Sequence, residues 1–307
     1  MGTPDFALFS LKALVEAKRN IVGVLTQPDK PKGRGYELLP PPVKIFAKAQ
    51  GLPVYQPNTL RDEAFAELLA KIDPNLIVVV AYGKILPQNV LDYPKYGCIN
   101  VHGSLLPEYR GAAPMQRAII DGKTITGITT MKMEAGLDTG EMYEQATLAI
   151  GPEDNFEVVH DRLGALGAKL LLSTIEKLEN GNLVGTPQDD TKATYAKKIE
   201  KEDCRLDFSH SAKELHDLIR GLSPIPLAVT TLPDGKLLKI VSATVSGSPR
   251  SGDPGEILSL DGGKITVACR DGALDLLTMI PEGKKKMSAN DLINGRRVKV
   301  GDLLGKI

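Results

Sequence analysis

Residues 75–81 read NLIVVVA, apolar from the second residue to the last. A strand with one wet face alternates polar and apolar residues, whereas one covered on both faces is apolar throughout and belongs to a parallel sheet flanked by helices. Upstream lie an amphipathic helical stretch at Arg61 to Ile72, a short strand at Leu52 to Tyr55 and a helix from Val43 to Gln50 closed by Gly51. Downstream come a short helix near Leu86 to Leu91, a strand at Cys98 to Val101, a helix at Ala113 to Asp121 and a strand at Thr126 to Met133. Helix and strand alternate, which predicts a doubly wound, mostly parallel sheet.

Toward the start, Ile21 to Leu25 reads as a buried strand. Pro4 and Asp5 suit a helix start ahead of an apolar stripe of Phe6, Leu8, Leu11, Leu14 and Val15. Between that strand and the Val43 helix, Gln27 to Pro42 is a Gly/Pro-rich loop too long for an ordinary connection. Beyond Met133, Gly140 to Ile150 is expected as an edge hairpin strand. A long helix follows from Phe156 to Glu179, capped by Asn180-Gly181, with Val159, Leu163, Leu166, Leu170 and Leu178 as its stripe.

The stretch from Thr186 to Glu202 turns polar and marks a linker, so the expected organisation is a first domain over 1–185, a linker over 186–203 and a second domain over 204–307. After a helix at Ala212 to Gly221, the second part carries short alternating runs at Leu227 to Leu232, Leu237 to Val245, Gly255 to Leu260, Lys264 to Cys269 and Ala273 to Met279, broken by Asp-Gly and Pro-Gly turns. Five short strands fit a small barrel of the oligonucleotide-binding type, with a sandwich as the alternative. Ser288 is placed to cap a last short helix.

Composition narrows the function classes. Lys+Arg 38 against Asp+Glu 38 leaves no global positive field, so a nucleic acid would have to be gripped by local patches. Cys98, Cys204 and Cys269 form no C-x-x-C pair and the four histidines no H-E-x-x-H, so neither a disulfide framework nor a metal site is expected. No apolar run approaches the ~20 residues of a membrane span. A cytoplasmic, monomeric protein with no membrane partner fits.

The chemistry concentrates in residues 98–111, CINVHGSLLPEYRG. Asn100 and His102 are two residues apart and leave the same face of a strand. Asp138 follows the next strand in the turn Gly136-Leu-Asp-Thr-Gly140, and open α/β sheets hold ligands outside the carboxyl ends of their strands. An amide that donates to a developing oxyanion, beside an imidazole oriented by a carboxylate, suits acyl transfer without a serine or cysteine nucleophile. Each residue also has a plain alternative: a structural histidine, an Asx turn at Asp138 and, for Cys98, a small core residue. Ser104 lacks the Gly-x-Ser-x-Gly elbow of a nucleophile.

NVHGSLLP at 100–107, YRGAAP at 109–114 and GLDTG at 136–140 resemble the folate-dependent formyltransferases. GTPDF at 2–6, TQPDKPKGRG at 26–35, VVAYG at 79–83 and GKKKMSA at 283–289 resemble the branch that acts on charged initiator tRNA. The resemblance implies formyl transfer from 10-formyltetrahydrofolate to the α-amino group of methionyl initiator tRNA, on a Rossmann-like catalytic domain followed by an oligonucleotide-binding-like barrel. It makes Asn100, His102 and Asp138 the catalytic residues. It places the folate against Tyr82, Gly83, Lys84, Ile85 and Leu86, against Ser104, Leu105, Leu106 and Pro107, and against Glu134 and Leu137. It turns the 27–42 loop, with Lys30, Lys32 and Arg34, into a contact for the tRNA acceptor arm, although Tyr36 and Glu37 depart from a more basic continuation in some relatives. Lys197, Lys198 and Lys201 with Lys284, Lys285, Lys286, Arg296 and Arg297 then offer a phosphate track.

Three rival readings are another formyl-donor user acting on a glycinamide nucleotide or amino sugar, a tRNA-binding protein without catalysis, and a Rossmann nucleotide binder. The loop and barrel oppose the first, the intact trio the second and the absence of G-x-G-x-x-G the third. Relatives also carry a strand ahead of GTPDF, where this chain has Met1 alone. The resemblance therefore implies a sheet lacking a central strand, and a protein less stable than one that has it.

Overall fold

The covered strand at the heart of the first part is built as its composition demands. The computed structural model describes residues 1–32, 37–247 and 252–305, and of Pro31, Lys32 and Glu37 the backbone only. In chain order come α1 (Asp5–Glu16), β1 (Val24–Leu25), β2 (Lys30–Lys32), β3 (Glu37–Leu39), α2 (Pro42–Ala49), β4 (Val54–Tyr55), α3 (Glu63–Ile72), β5 (Ile77–Val79), α4 (Gln88–Leu91) and β6 (Cys98–His102). Then follow β7 (Arg110–Gly111), α5 (Pro114–Ile120), β8 (Ile125–Lys132), β9 (Met142–Ala149), α6 (Phe156–Glu179) and β10 (Tyr195–Ala196). The remaining elements are α7 (Ala212–Leu222), β11 (Ala228–Thr231), β12 (Leu237–Val245), β13 (Ile257–Ser259), β14 (Ile265–Ala268), β15 (Ala273–Pro281), β16 (Met287–Ser288) and α8 (Ala289–Asn294). None of the described helices is long and apolar enough to cross a membrane.

The first compact unit comprises 1–111, 126–148 and 160–195; the second takes 112–125, 149–159 and 196–307, so α5 belongs with the later part of the chain. Gly221 of α7 explains this: a Cβ there would stand 2.6 Å from Ile120, so only a glycine lets α7 lie this close to α5.

In the first unit β5 pairs parallel with β6, in the order β5-β6-β8-β9, and β1 pairs parallel with β4. β8 runs antiparallel to β6, so the sheet is mixed where the alternation of helix and strand predicts parallel neighbours. β9 takes the expected edge place. The 27–42 loop contains the antiparallel ribbon β2–β3 rather than irregular chain. The long helix α6 has the expected bounds but a rotated core face. Leu166, Leu170 and Leu178 are only half-buried, while Leu163, Ala168, Leu171 and Ile175 face the core. Gly164 lies so near the Phe9 ring that a Cβ would come to 2.4 Å.

The second unit holds one curled antiparallel sheet, β11-β12-β15-β14-β13 with β16 on β15, and not two stacked sheets. Its core is Leu238, Ile240, Ile257, Val267, Leu274, Leu276 and Met279 against Leu215, Ile219 and Leu222 of α7. Ser211 and Ser288 each close a capping box, with Glu214 and Asp291.

The amino terminus lies inside the first unit. Gly2 bridges Val80 in parallel, the Gly2 N–H donates to Leu25 O (3.0 Å), the Val80 N–H to Met1 O (2.9 Å) and the Met1 ammonium to Val78 O (2.6 Å). Met1 and Gly2 are thus a two-residue strand between β1 and β5. Behind them a cavity of about 370 Å³ separates Ile21–Leu25 from Leu76–Val78, floored by Leu11, Leu14, Ile72 and Ile175. Burial lowers the Met1 amine from 8.0 to about 6.

Candidate active site

The site grows from β6. Its residues are buried except Asn100, which is half-exposed and which no other described residue hydrogen-bonds through its amide. Two residues on, His102 shares that face but is 6% exposed. Its Nε2 lies 3.0 Å from the Tyr109 carbonyl. A carbonyl only accepts, so Nε2 carries a proton and Nδ1 is left as the nitrogen that faces Asp138.

Asp138 Oδ2 stands 3.7 Å from His102 Nδ1, within reach of charge attraction but beyond a direct hydrogen bond. The same oxygen accepts from the Gly111 N–H at 2.8 Å. Asp138 adopts φ +53°, a conformation that Asp tolerates better than most residues. The two residues meet for a different reason from that expected. With His102 opposite Thr129 and Ile99 opposite Lys132, β8 leaves the sheet at the Cys98 end of β6, about 10 Å from His102. The 136–140 turn reaches His102 only by folding back.

What holds it back is invisible to motif reading. The Gln188 Nε2 amide donates to both Asp138 O and Gly140 O, each at 2.8 Å. Its Oε1 accepts from Arg110 Nε (3.0 Å) and Nη2 (2.8 Å), and Nη2 also reaches Asp190 Oδ1 at 2.7 Å. The Arg110 N–H donates to Thr194 O and the Tyr109 N–H to Thr194 Oγ1. Residues 188–194, which composition marks as a linker with little to bury, are therefore scaffold of the site.

Of the residues expected to meet folate, some are exposed and others are buried in the core. Ser104 and Leu106 are buried; the Ser104 hydroxyl donates to Glu108 O, and Thr129 ties Ser104 O and Leu106 N together. Leu105 and Pro107 keep partial exposure. Tyr82 and Leu86 belong to the core, and burial pushes the Tyr82 hydroxyl up to about 12. Gly83 is exposed, and Gln27 Nε2 donates to its carbonyl and to that of Tyr82. Lys84 is turned away: its ammonium donates to Pro57 O and Asn58 O, and burial followed by the like charge of Lys30 lowers its pKa. By contrast Ile85 is 77% and Leu137 60% exposed. Glu134 is exposed and pairs with Lys132 at 3.4 Å. Cys98 is a core residue whose thiol burial pushes up to about 12, which excludes a thiolate nucleophile.

Of the basic loop residues, Lys30 is exposed, the Lys32 side chain and all of Arg34 and Tyr36 lie outside the described residues, and Lys44 is bound to Asp29 and Gln56. In the second unit Lys197, Lys198, Lys201, Lys284, Lys285, Lys286, Arg296 and Arg297 are all exposed. Lys198 pairs with Glu200 (3.3 Å) and Arg297 with Asp234 (4.0 Å), while Lys284–Lys286 have no acidic partner among the described residues. Arg117, not expected from the sequence, donates to the carbonyls of Lys197 and Lys198 and to Asp203, fixing the backbone beneath those lysines.

Two family models match the chain, "Formyl transferase" over residues 2–175 and "Formyl transferase, C-terminal domain" over 198–297. The methionyl-tRNA formyltransferase of Citrifermentans bemidjiense is 48% identical over 307 residues, covering 100% of this chain and 95% of that protein. That of Pseudomonas entomophila is 50% identical over 308 residues, covering 99% and 98%. Among solved structures, an N-formyltransferase from Helicobacter canadensis in complex with folinic acid and dTDP-3-aminofucose superposes with TM-score 0.63 at 17% identity, covering 93% of this chain and 97% of that one.

Proposed function

Since the chain belongs to the formyl transferase family, we propose that it moves the formyl group of 10-formyltetrahydrofolate onto the α-amino group of methionyl initiator tRNA, the step that prepares this tRNA for translation initiation. The carrying observation is the end-to-end identity of about half the residues with methionyl-tRNA formyltransferases, in a chain where Asp138 stands 3.7 Å from His102, two residues along the strand from Asn100. The amine attacks the formyl carbon, negative charge develops on the formyl oxygen, and the bond to the folate nitrogen N10 breaks as a proton passes from the amine to that nitrogen. Asn100 donates to the oxygen as it becomes anionic. His102, locked through Nε2 onto Tyr109 O, exchanges protons at Nδ1, the nitrogen 3.7 Å from the Asp138 carboxylate. Ile85 and Leu137, large apolar residues left in water, support a site that covers the flat pterin. Leu105 and Pro107 continue that wall.

Incubation with 10-formyltetrahydrofolate and charged initiator tRNA should raise the mass of the aminoacyl product by one formyl group. An unchanged mass refutes the assignment. On the second unit, Lys284, Lys285 and Lys286 act as a phosphate grip that positions the tRNA without reading its sequence. Replacing all three by Ala is expected to weaken tRNA binding and lower the slope of log affinity against log salt by about 3, since each phosphate contact contributes about one. Folate affinity should stay put. An unaltered slope would show that these lysines do not meet the tRNA.

A further inference from the structure

We infer that Arg110 and Gln188 are positioning residues for the reaction, a reading that rests on the catalytic roles proposed for His102 and Asp138. The three residues from Tyr109 to Gly111 touch both partners of the catalytic pair. The Tyr109 carbonyl holds His102 Nε2, the Gly111 N–H holds Asp138 Oδ2, and the Arg110 side chain between them holds Gln188, which holds the backbone of Asp138 and Gly140. One short piece of chain thus sets the imidazole from one side and the carboxylate from the other, and the 3.7 Å between Nδ1 and Oδ2 is fixed by what Arg110 grips.

The chemistry of the clamp gives it one orientation. Arg110 only donates, so Gln188 must present its oxygen to the guanidinium and its NH₂ to the turn, and the two N–H groups meet two carbonyls that only accept. The guanidinium fork is 3% exposed, where planar two-point contacts are strong. The turn needs this help. Asp138 sits at φ +53°, its neighbour Leu137 is in water, and the loop has left the sheet far from His102. Without the Gln188 amide, carbonyls 138 and 140 lose the partner that draws them toward β7.

Gln188→Glu tests this with the packing retained, because one carboxylate oxygen stays on Arg110 while the other faces the two carbonyls it must repel. It is expected to bind 5-formyltetrahydrofolate one-to-one with affinity within ~3-fold of the parent. Its kcat should fall 10- to 100-fold, the scale of a displacement of about 1 Å at reacting groups. Arg110→Lys, which keeps the charge but not the fork, should lose kcat in the same direction with KM for folate unchanged, and it carries the test if Gln188→Glu does not fold. The double variant Gln188→Glu/Asp138→Asn separates positioning from general support. If Gln188 acts through Asp138, the pair is no slower than Asp138→Asn alone within ~3-fold, whereas losses that multiply overturn the inference. A Gln188→Glu enzyme with parental kcat overturns it as well. Parental kcat in Asp138→Asn would instead sink the underlying catalytic reading, so the two failures are distinguishable.

Discussion

Asn100→Ala is expected to lower kcat about 10²- to 10³-fold, the usual cost of removing one donor to a developing oxyanion, while KM for the folate changes by less than ~3-fold. The reason lies in what Asn100 does not do in the resting protein. Its amide takes no hydrogen bond from the described residues around it and is half-exposed on the otherwise buried strand β6, so truncation leaves no protein group orphaned. The stability cost should therefore be small. Asn100→Asp should be slower still, because it removes the donor and sets a negative charge where the oxyanion forms. Steady-state kinetics on the two variants, with thermal melts as a control, checks this. A KM effect with kcat unchanged would place Asn100 in ground-state binding rather than at the formyl oxygen.

Much of this arrangement was legible in the sequence, because short apolar runs and their spacing depend on local physics. NLIVVVA implies a covered strand, and β5 is one; Asn100 and His102 share a face because strand side chains alternate; Ser288 is placed to cap, and in the structure it does so, in a box with Asp291. Direction and partnership were not legible. Periodicity does not encode which way a strand runs: a mostly parallel sheet is expected, β8 is an antiparallel member of it, and the turn carrying Asp138 therefore leaves the sheet at the end of β6 away from His102. On α6 the leucine spacing predicts one stripe, yet close packing puts Gly164 against Phe9 and leaves Leu166 and Leu170 to the flank. Nothing local marks Gln188 and Arg110: an arginine and a glutamine in polar stretches look like surface, and their partners lie far along the chain. The PQDDTKATY composition signalled a linker, whereas the backbone of Thr194 and the side chain of Gln188 hold the site.

Asp138→Asn should be the second large loss, about 10² to 10³ in kcat, within the range of a general acid–base contribution. The substitution is nearly isosteric, and the amide oxygen can still accept from the Gly111 N–H while Gln188 still holds the backbone. The turn should keep its place, and Tm should change by less than ~2 °C. What disappears is the negative charge 3.7 Å from His102 Nδ1. The imidazole cannot compensate by turning, because its other nitrogen is committed to the Tyr109 carbonyl. Without the carboxylate Nδ1 loses its charged neighbour in a site where the histidine is 6% exposed, and the proposed relay from the attacking amine to N10 loses a member. The decisive comparison is with Asn100→Ala. If Asn100 serves the oxygen and Asp138 the proton, a leaving nitrogen that is easier to expel should restore part of the rate to Asp138→Asn and almost none to Asn100→Ala. Equal recovery in both variants would contradict that division of labour.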